Sequence, residues 1–153
     1  MFLTTHALIG ALIGLHLENH IWLAFFLGIG SHFLLDIIPH GDRMLFVLNE
    51  GGDKDQKKLF SVVAIDCFLV LLFLIFITQY KHPEAPMSIM MGIMGSIIPD
   101  YLWGMHEHWH FKFLRKYHDF HLFFHQIIKQ DVSFKKGLTI QILILLIFLK
   151  WLL

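Results

Sequence analysis

Two stretches of this chain, LVLLFLIFI at 69–77 and LTIQILILLIFL at 138–149, carry no continuous polar face. A helix that is apolar all round must be covered on every side, by protein or by lipid. The choice lies between a water-soluble bundle of hydrophobic helices and a membrane bundle, and composition favours the membrane. The chain is 56% hydrophobic and 16% charged, against roughly 45–50% and 25% in soluble domains. Its 153 residues are enough for one domain.

Five apolar segments can be drawn, at about 2–17, 21–38, 59–80, 87–103 and 138–153. A transmembrane helix needs roughly 20 apolar residues, and only the third segment, with 22, meets that alone. The connections LENH and KHPEAP are short and make hairpins, whereas 39–58 and 104–137 are long and charged. Ten of the twelve Lys and Arg residues fall in those two long loops. The positive-inside bias therefore places the amino terminus and both loops in the cytoplasm and the carboxyl terminus outside. The opening MFLTTHALIGALIG lacks a basic leader and reads as a retained first helix. The expected architecture is an all-α, polytopic membrane helix bundle, a single integral membrane domain over 1–153. It would hold about five transmembrane helices, with hairpins at about 2–40 and 60–103, a His-rich loop and helix at 104–136, and a terminal helix at 138–153. The aromatic, basic WHFKFLRKYHDFHLFFHQIIKQ would lie at the cytoplasmic interface or fold back under the bundle.

The hairpins repeat with an offset of 60: Ile37-Ile38-Pro39 falls on Ile97-Ile98-Pro99, His6 on Asp66 and His40 on Asp100. Proline disfavours helix before it and lacks an N–H, so each IIP should end its helix. Net charge is zero, which gives no argument for nucleic acid as a partner. The lone Cys67 excludes an intrachain disulfide and a CxxC site.

Histidine is abundant, with twelve in the chain. Gly28, His32, Asp36 and His40 step by four and line one broad helix face. Ser88, Gly92, Ser96 and Asp100 repeat the step, as do His6, Gly10 and Gly14. Small residues allow helices to approach closely, so these stripes should face inward. Asp66 has no basic residue within its segment, and a lone carboxylate in a span requires a compensating charge. His118, His121 and His125 stand at i, i+3 and i+7, and the last two have a chelating i, i+4 spacing. Imidazole with carboxylate suits zinc first among divalent transition metals, then iron or manganese. The expected metal ligands are His6, His32, Asp36, His40, Asp66, Asp100, His118, His121 and His125. These exceed one tetrahedral shell, so one or two ions are expected, some residues supporting the ligands from behind. Asp42 and Asp119 are candidate proton acceptors.

Four of the five segments carry short motifs: His6 after TT, His32-x-x-x-Asp36-x-x-Pro39, Pro99-Asp100 and the run His118 to His125. In these the chain resembles the small bacterial membrane-bound metal-dependent hydrolases, a group distantly similar to zinc-dependent phospholipase C enzymes. That resemblance implies a location in the inner or plasma membrane of a prokaryote. It also implies hydrolysis of a phosphoester or other ester at the cytoplasmic face, with a lipid or lipid-linked substrate. The chain departs from the pattern where PDxDH reads PDYLW and where HRGxTHS reads HDFHLFFH. The same residues also fit a metal carrier or sensor without catalysis. A haem protein would need facing histidines near mid-membrane, and only His32 is placed for that.

Overall fold

The computed structural model describes residues 1–41, 53–77, 79, 86–128 and 132–152. Asp42, most of the 39–58 loop and most of the KHPEAP connection lie outside the described residues. The described chain is all-α, with six α-helices and one short 3-10 turn. We label them α1 (Leu3–His16), α2 (Ile21–Asp36), α3 (Asp53–Phe76), α4 (Pro86–Trp109), α5 (Arg115–His125) and α6 (Phe134–Leu152), with the 3-10 turn at Lys112–Leu114 before α5.

The centre of the fold is a layer of three helices in which α4 packs against both α1 and α2. Backbone proximity makes this possible. A Cβ on Gly10 of α1 would run into the carbonyl oxygen of Gly92, and a Cβ on Gly28 of α2 would strike the same atom. Ala7, Leu8, Ala11 and Leu12 of α1 form a buried cluster with Ile89 and Ile93 of α4 and Val70 of α3. α3 and α6 rest on α1, and α5 lies across α2 and α4.

The structure bears on two of these expectations. No helix of the described residues is long and apolar enough to cross a membrane. α1, with 14 residues, is about 21 Å long against a hydrocarbon core of about 30 Å. Charge also stands at the ends of α3 and α6. α3 spends its first turns on DKDQKK, and α6 carries Lys135 and Lys136 at one end and Lys150 at the other.

The second expectation concerns proline. α2 ends at Asp36, before Pro39, as expected, but α4 continues through the buried Pro99 to Trp109. A proline ring leaves the i−4 carbonyl, here Gly95, without its helical donor. Tertiary packing compensates: α4 is clamped between two helices, and the Tyr117 hydroxyl donates to the Pro99 carbonyl oxygen at 2.8 Å. His106 and His108, expected in a loop, therefore stand on the last turns of a helix. The two hairpins also differ in packing, because α1 and α2 pair side by side whereas α3 rests on α1.

The glycine contacts predict a sharp contrast between two alanine substitutions. Gly10→Ala forces α1 away from α4 and should lower stability by about 1–3 kcal/mol, as overpacking does. Gly30→Ala, at an exposed α2 position with nothing within 4 Å, should be neutral or stabilise by up to about 1 kcal/mol through helix propensity. Thermal unfolding followed by circular dichroism reads both, and equal effects would contradict the close approach.

Candidate metal centre

The polar stripes of α1, α2 and α4 converge at the end of the bundle that α5 covers. His32, Asp36, Asp100 and His121, drawn from α2, α4 and α5, each offer a ligand atom within 4.8 Å of the others. His32 Nε2 lies 3.0 Å from Asp36 Oδ2 and 3.8 Å from Asp100 Oδ1. His121 Nε2 lies 3.6 Å from each of the same two oxygens. Ligands about 2.0–2.1 Å from a tetrahedral ion are separated from one another by about 3.3 Å. The four distances bracket that value.

The ring orientations suit a cation. His32 Nδ1 donates to the Ser96 carbonyl oxygen at 2.8 Å. A carbonyl only accepts, so Nδ1 carries the hydrogen, and in its neutral form the ring presents its Nε2 lone pair to the carboxylates. Among the described residues, His32 Nε2 and Asp36 Oδ2 have no hydrogen-bond partner despite their proximity. Both side chains are fully buried. Two lone pairs held together away from water are costly unless a positive charge stands between them. On α5, burial lowers the pKa of His121 to about 3, more than the Asp36 carboxylate raises it, and keeps that imidazole a neutral donor. Burial likewise pushes the Tyr117 hydroxyl up, with Asp100 adding to the effect.

His6 of α1 is also fully buried, stacked on His32 with ring centres 4.1 Å apart. Its Nε2 lies 3.3 Å from Asp36 Oδ1 and 3.8 Å from Asp100 Oδ2, and neither ring nitrogen has a hydrogen-bond partner among the described residues. His40 and His125 join Asp36 in a second group of possible ligands. His125 stacks on His121 at 4.9 Å, with the two Nε2 atoms 2.9 Å apart.

Two expected ligands lie elsewhere. Asp66, on α3, accepts from the backbone N–H groups of Leu3 at 2.5 Å and Thr4 at 3.1 Å, and from the Thr4 hydroxyl. Those N–H groups open α1 and have no helical acceptor, so Asp66 acts as a cap supplied by another helix. The compensating charge expected for this carboxylate is thus the partial positive end of a helix. His118 has both ring nitrogens engaged by carboxylates, Nε2 with Glu107 at 2.7 Å and Nδ1 with Asp119 at 3.3 Å. Its ring lies parallel to Trp103, which in turn stacks on His121. Asp119, whose side chain is two-thirds exposed, faces His118 rather than the buried carboxylates.

The sequence reading missed Gln141 and Glu107. Gln141 of α6 accepts the Phe2 N–H at 2.7 Å and donates to the His40 carbonyl oxygen at 3.1 Å. It ties the start of α1 to the segment after α2. A single amide in LTIQILIL was the available signal. No family model matches the chain, and no curated protein or solved structure matches it.

The reassignment of Asp66 makes a separable prediction. Asp66→Ala should lower stability by about 1–2 kcal/mol, as loss of a helix cap does, while the number of ions bound per chain stays unchanged. Thermal unfolding and elemental analysis of the same preparation check both halves. A drop in metal content with unaltered unfolding would return Asp66 to the ligand set.

Proposed function

We propose that this chain is a membrane-embedded, metal-dependent hydrolase of a phosphoester or other ester, with its reaction centre at His32, Asp36, Asp100 and His121. The observation that carries the reading is the meeting of imidazole and carboxylate atoms at the spacing of metal ligands, two of which, His32 Nε2 and Asp36 Oδ2, are buried without a hydrogen-bond partner among the described residues. Zinc is the first choice of ion for that donor set, with iron and manganese next. Bound there, a divalent ion supplies Lewis acidity that polarises an ester and activates water.

The chain's own residues have distinct parts in this scheme. Ser96 fixes the tautomer of His32 through its carbonyl oxygen. Tyr117 holds α5 to α4, and so holds His121 over the carboxylates. Asp100 and His125 are the partly exposed members, with side chains 19% and 24% accessible, against 0% for Asp36. A substrate therefore approaches from their side.

The outer surface supports a lipid setting. Phe26 and Leu34 of α2, Ile65 and Phe68 of α3, and Leu146 and Ile147 of α6 are each more than half exposed. A large exposed apolar surface marks contact with lipid or with another protein. In the proposed arrangement the polytopic bundle lies in the inner membrane of a prokaryote, with its amino terminus in the cytoplasm. The metal centre then opens toward a lipid or lipid-linked substrate. A second reading, metal binding or transport without catalysis, is favoured by one observation. Four protein ligands at tetrahedral spacing match a closed structural site, whereas catalytic sites keep a position open.

Purified chain in detergent tests these readings. Native protein should contain a transition metal and hydrolyse an activated phosphodiester. Chelation should remove both properties, and His32→Ala and His121→Ala should each reduce activity by at least about 10²-fold, as expected for lost electrostatic stabilisation. Full metal content without turnover on phosphate or carboxylate esters would select the non-catalytic reading. Background metal content in native protein would defeat both.

A further inference from the structure

Asp36 belongs to two ligand groups at once. One joins it to His32, Asp100 and His121, and the other joins it to His40 and His125, again with atoms within 4.8 Å of one another. The first group already supplies four ligands. His40 and His125 are then in excess of one tetrahedral shell, yet both are oriented into the cluster. His40 Nδ1 donates to the Ile38 carbonyl oxygen at 2.7 Å, which leaves Nε2 as the acceptor in a neutral ring, 4.0 Å from Asp36 Oδ1. His125 Nε2 lies 3.1 Å from Asp36 Oδ2, and its ring centre is 5.0 Å from that of His40.

The Met1 nitrogen lies 2.8 Å from His40 Nε2 and 3.0 Å from Asp36 Oδ1, so a positive group already holds this corner and a metal ion there would take its place. Asp36 is itself fully buried, and its Oδ2 has no hydrogen-bond partner among the described residues. His6, also fully buried, brings Nε2, which has no hydrogen-bond partner among the described residues, to 3.3 Å from the other oxygen, Oδ1. One carboxylate thus faces nitrogen donors on both of its oxygens.

Building on the metal-binding reading above, we infer that the centre is dinuclear: Asp36 bridges one ion held by His32, Asp100 and His121 and a second held by His40 and His125. Two-metal hydrolytic sites place their ions about 3.5–4 Å apart, close enough for one carboxylate to serve both. The two ions carry more positive charge than the carboxylates of Asp36 and Asp100 offset. The pair therefore selects an anionic substrate, and a phosphate ester fits better than a neutral carboxylic ester.

The test uses the full chain in detergent, stripped with a chelator and reloaded with Mn²⁺ alone. Wild-type protein should bind about two equivalents and give the spectrum of an exchange-coupled pair by electron paramagnetic resonance, as for adjacent ions in a two-metal site. His40→Ala and His125→Ala should each reduce binding to about one equivalent and convert the signal to that of an isolated ion. Circular dichroism confirms that the variants remain helical, and the wild-type coupling needs no variant at all. One equivalent with an uncoupled signal in wild-type protein would overturn the dinuclear inference and leave the single-ion reading intact. Failure to bind Mn²⁺, Zn²⁺ or Fe²⁺ would overturn both.

Discussion

The structure depends on how it keeps the Asp36 carboxylate. This group sits at the end of α2 with no exposed side-chain surface, where an isolated carboxylate would be strongly disfavoured. The chain sets the Met1 nitrogen 3.0 Å from Oδ1 and surrounds the group with imidazoles. His6 comes from α1, His32 from α2 itself, His40 from just beyond α2, and His121 and His125 from α5. Neutral histidines solvate a carboxylate only where an N–H points at it, and several of these contacts lack such geometry. In the proposed centre a metal ion would take the lone pairs of His32, Asp36, Asp100 and His121 together. Replacing one partner and leaving the carboxylate buried would be more damaging than losing the whole group, as for other buried ionic clusters.

The rest of the fold brings these side chains within reach. α4 carries Asp100, and it lies close to α1 and α2 because Gly10, Gly28 and Gly92 leave room for backbone against backbone. Wider separation would pull Asp100 from His32 and His6 together. Behind the centre, Gln141 and Asp66 hold the first residues of α1 from two different helices. Gly137 lies against the His40 carbonyl, where a side chain would collide. α3 and α6 thus support the ligands from behind, through backbone atoms rather than through contacts with the cluster.

Much of the centre was legible because its signals are local. A step of four on one helix identifies His32 and Asp36, and the same step through Ser88, Gly92 and Ser96 leads to Asp100. The pair His121 and His125 shows the same spacing. What could not be read depends on contacts between distant segments. Asp66 resembles a ligand because a lone carboxylate in an apolar run needs positive charge, and nothing in its neighbourhood reveals that the start of α1 supplies it. His118 shares a face with His121, but it is captured by Glu107 on a turn of α4 that proline rules assign to a loop. Pro99 shows why. The local penalty is real, yet α4 is buried between two helices, and packing outweighs it. The helix boundaries moved for another reason: α3 and α6 begin at Asp53 and Phe134, in the charged stretches ahead of the apolar runs.

The position of α5 in the chain has a consequence in time. His32, Asp36 and Asp100 are present once α4 has been made, whereas His121 and His125 arrive with a short surface helix of 11 residues. An unfinished chain presents only an open half of the centre. In the proposed centre, capture of an ion would therefore be a late event, completed when α5 docks, and the affinity for metal would include the free energy of that docking. Short peripheral helices are usually the first to open in a folded protein. If the proposed centre holds an ion, that ion would fasten such a helix to the interior, and loss of metal should loosen α5 before any other part of the bundle. Amide exchange along 115–125 then becomes a clock for how long the ion stays.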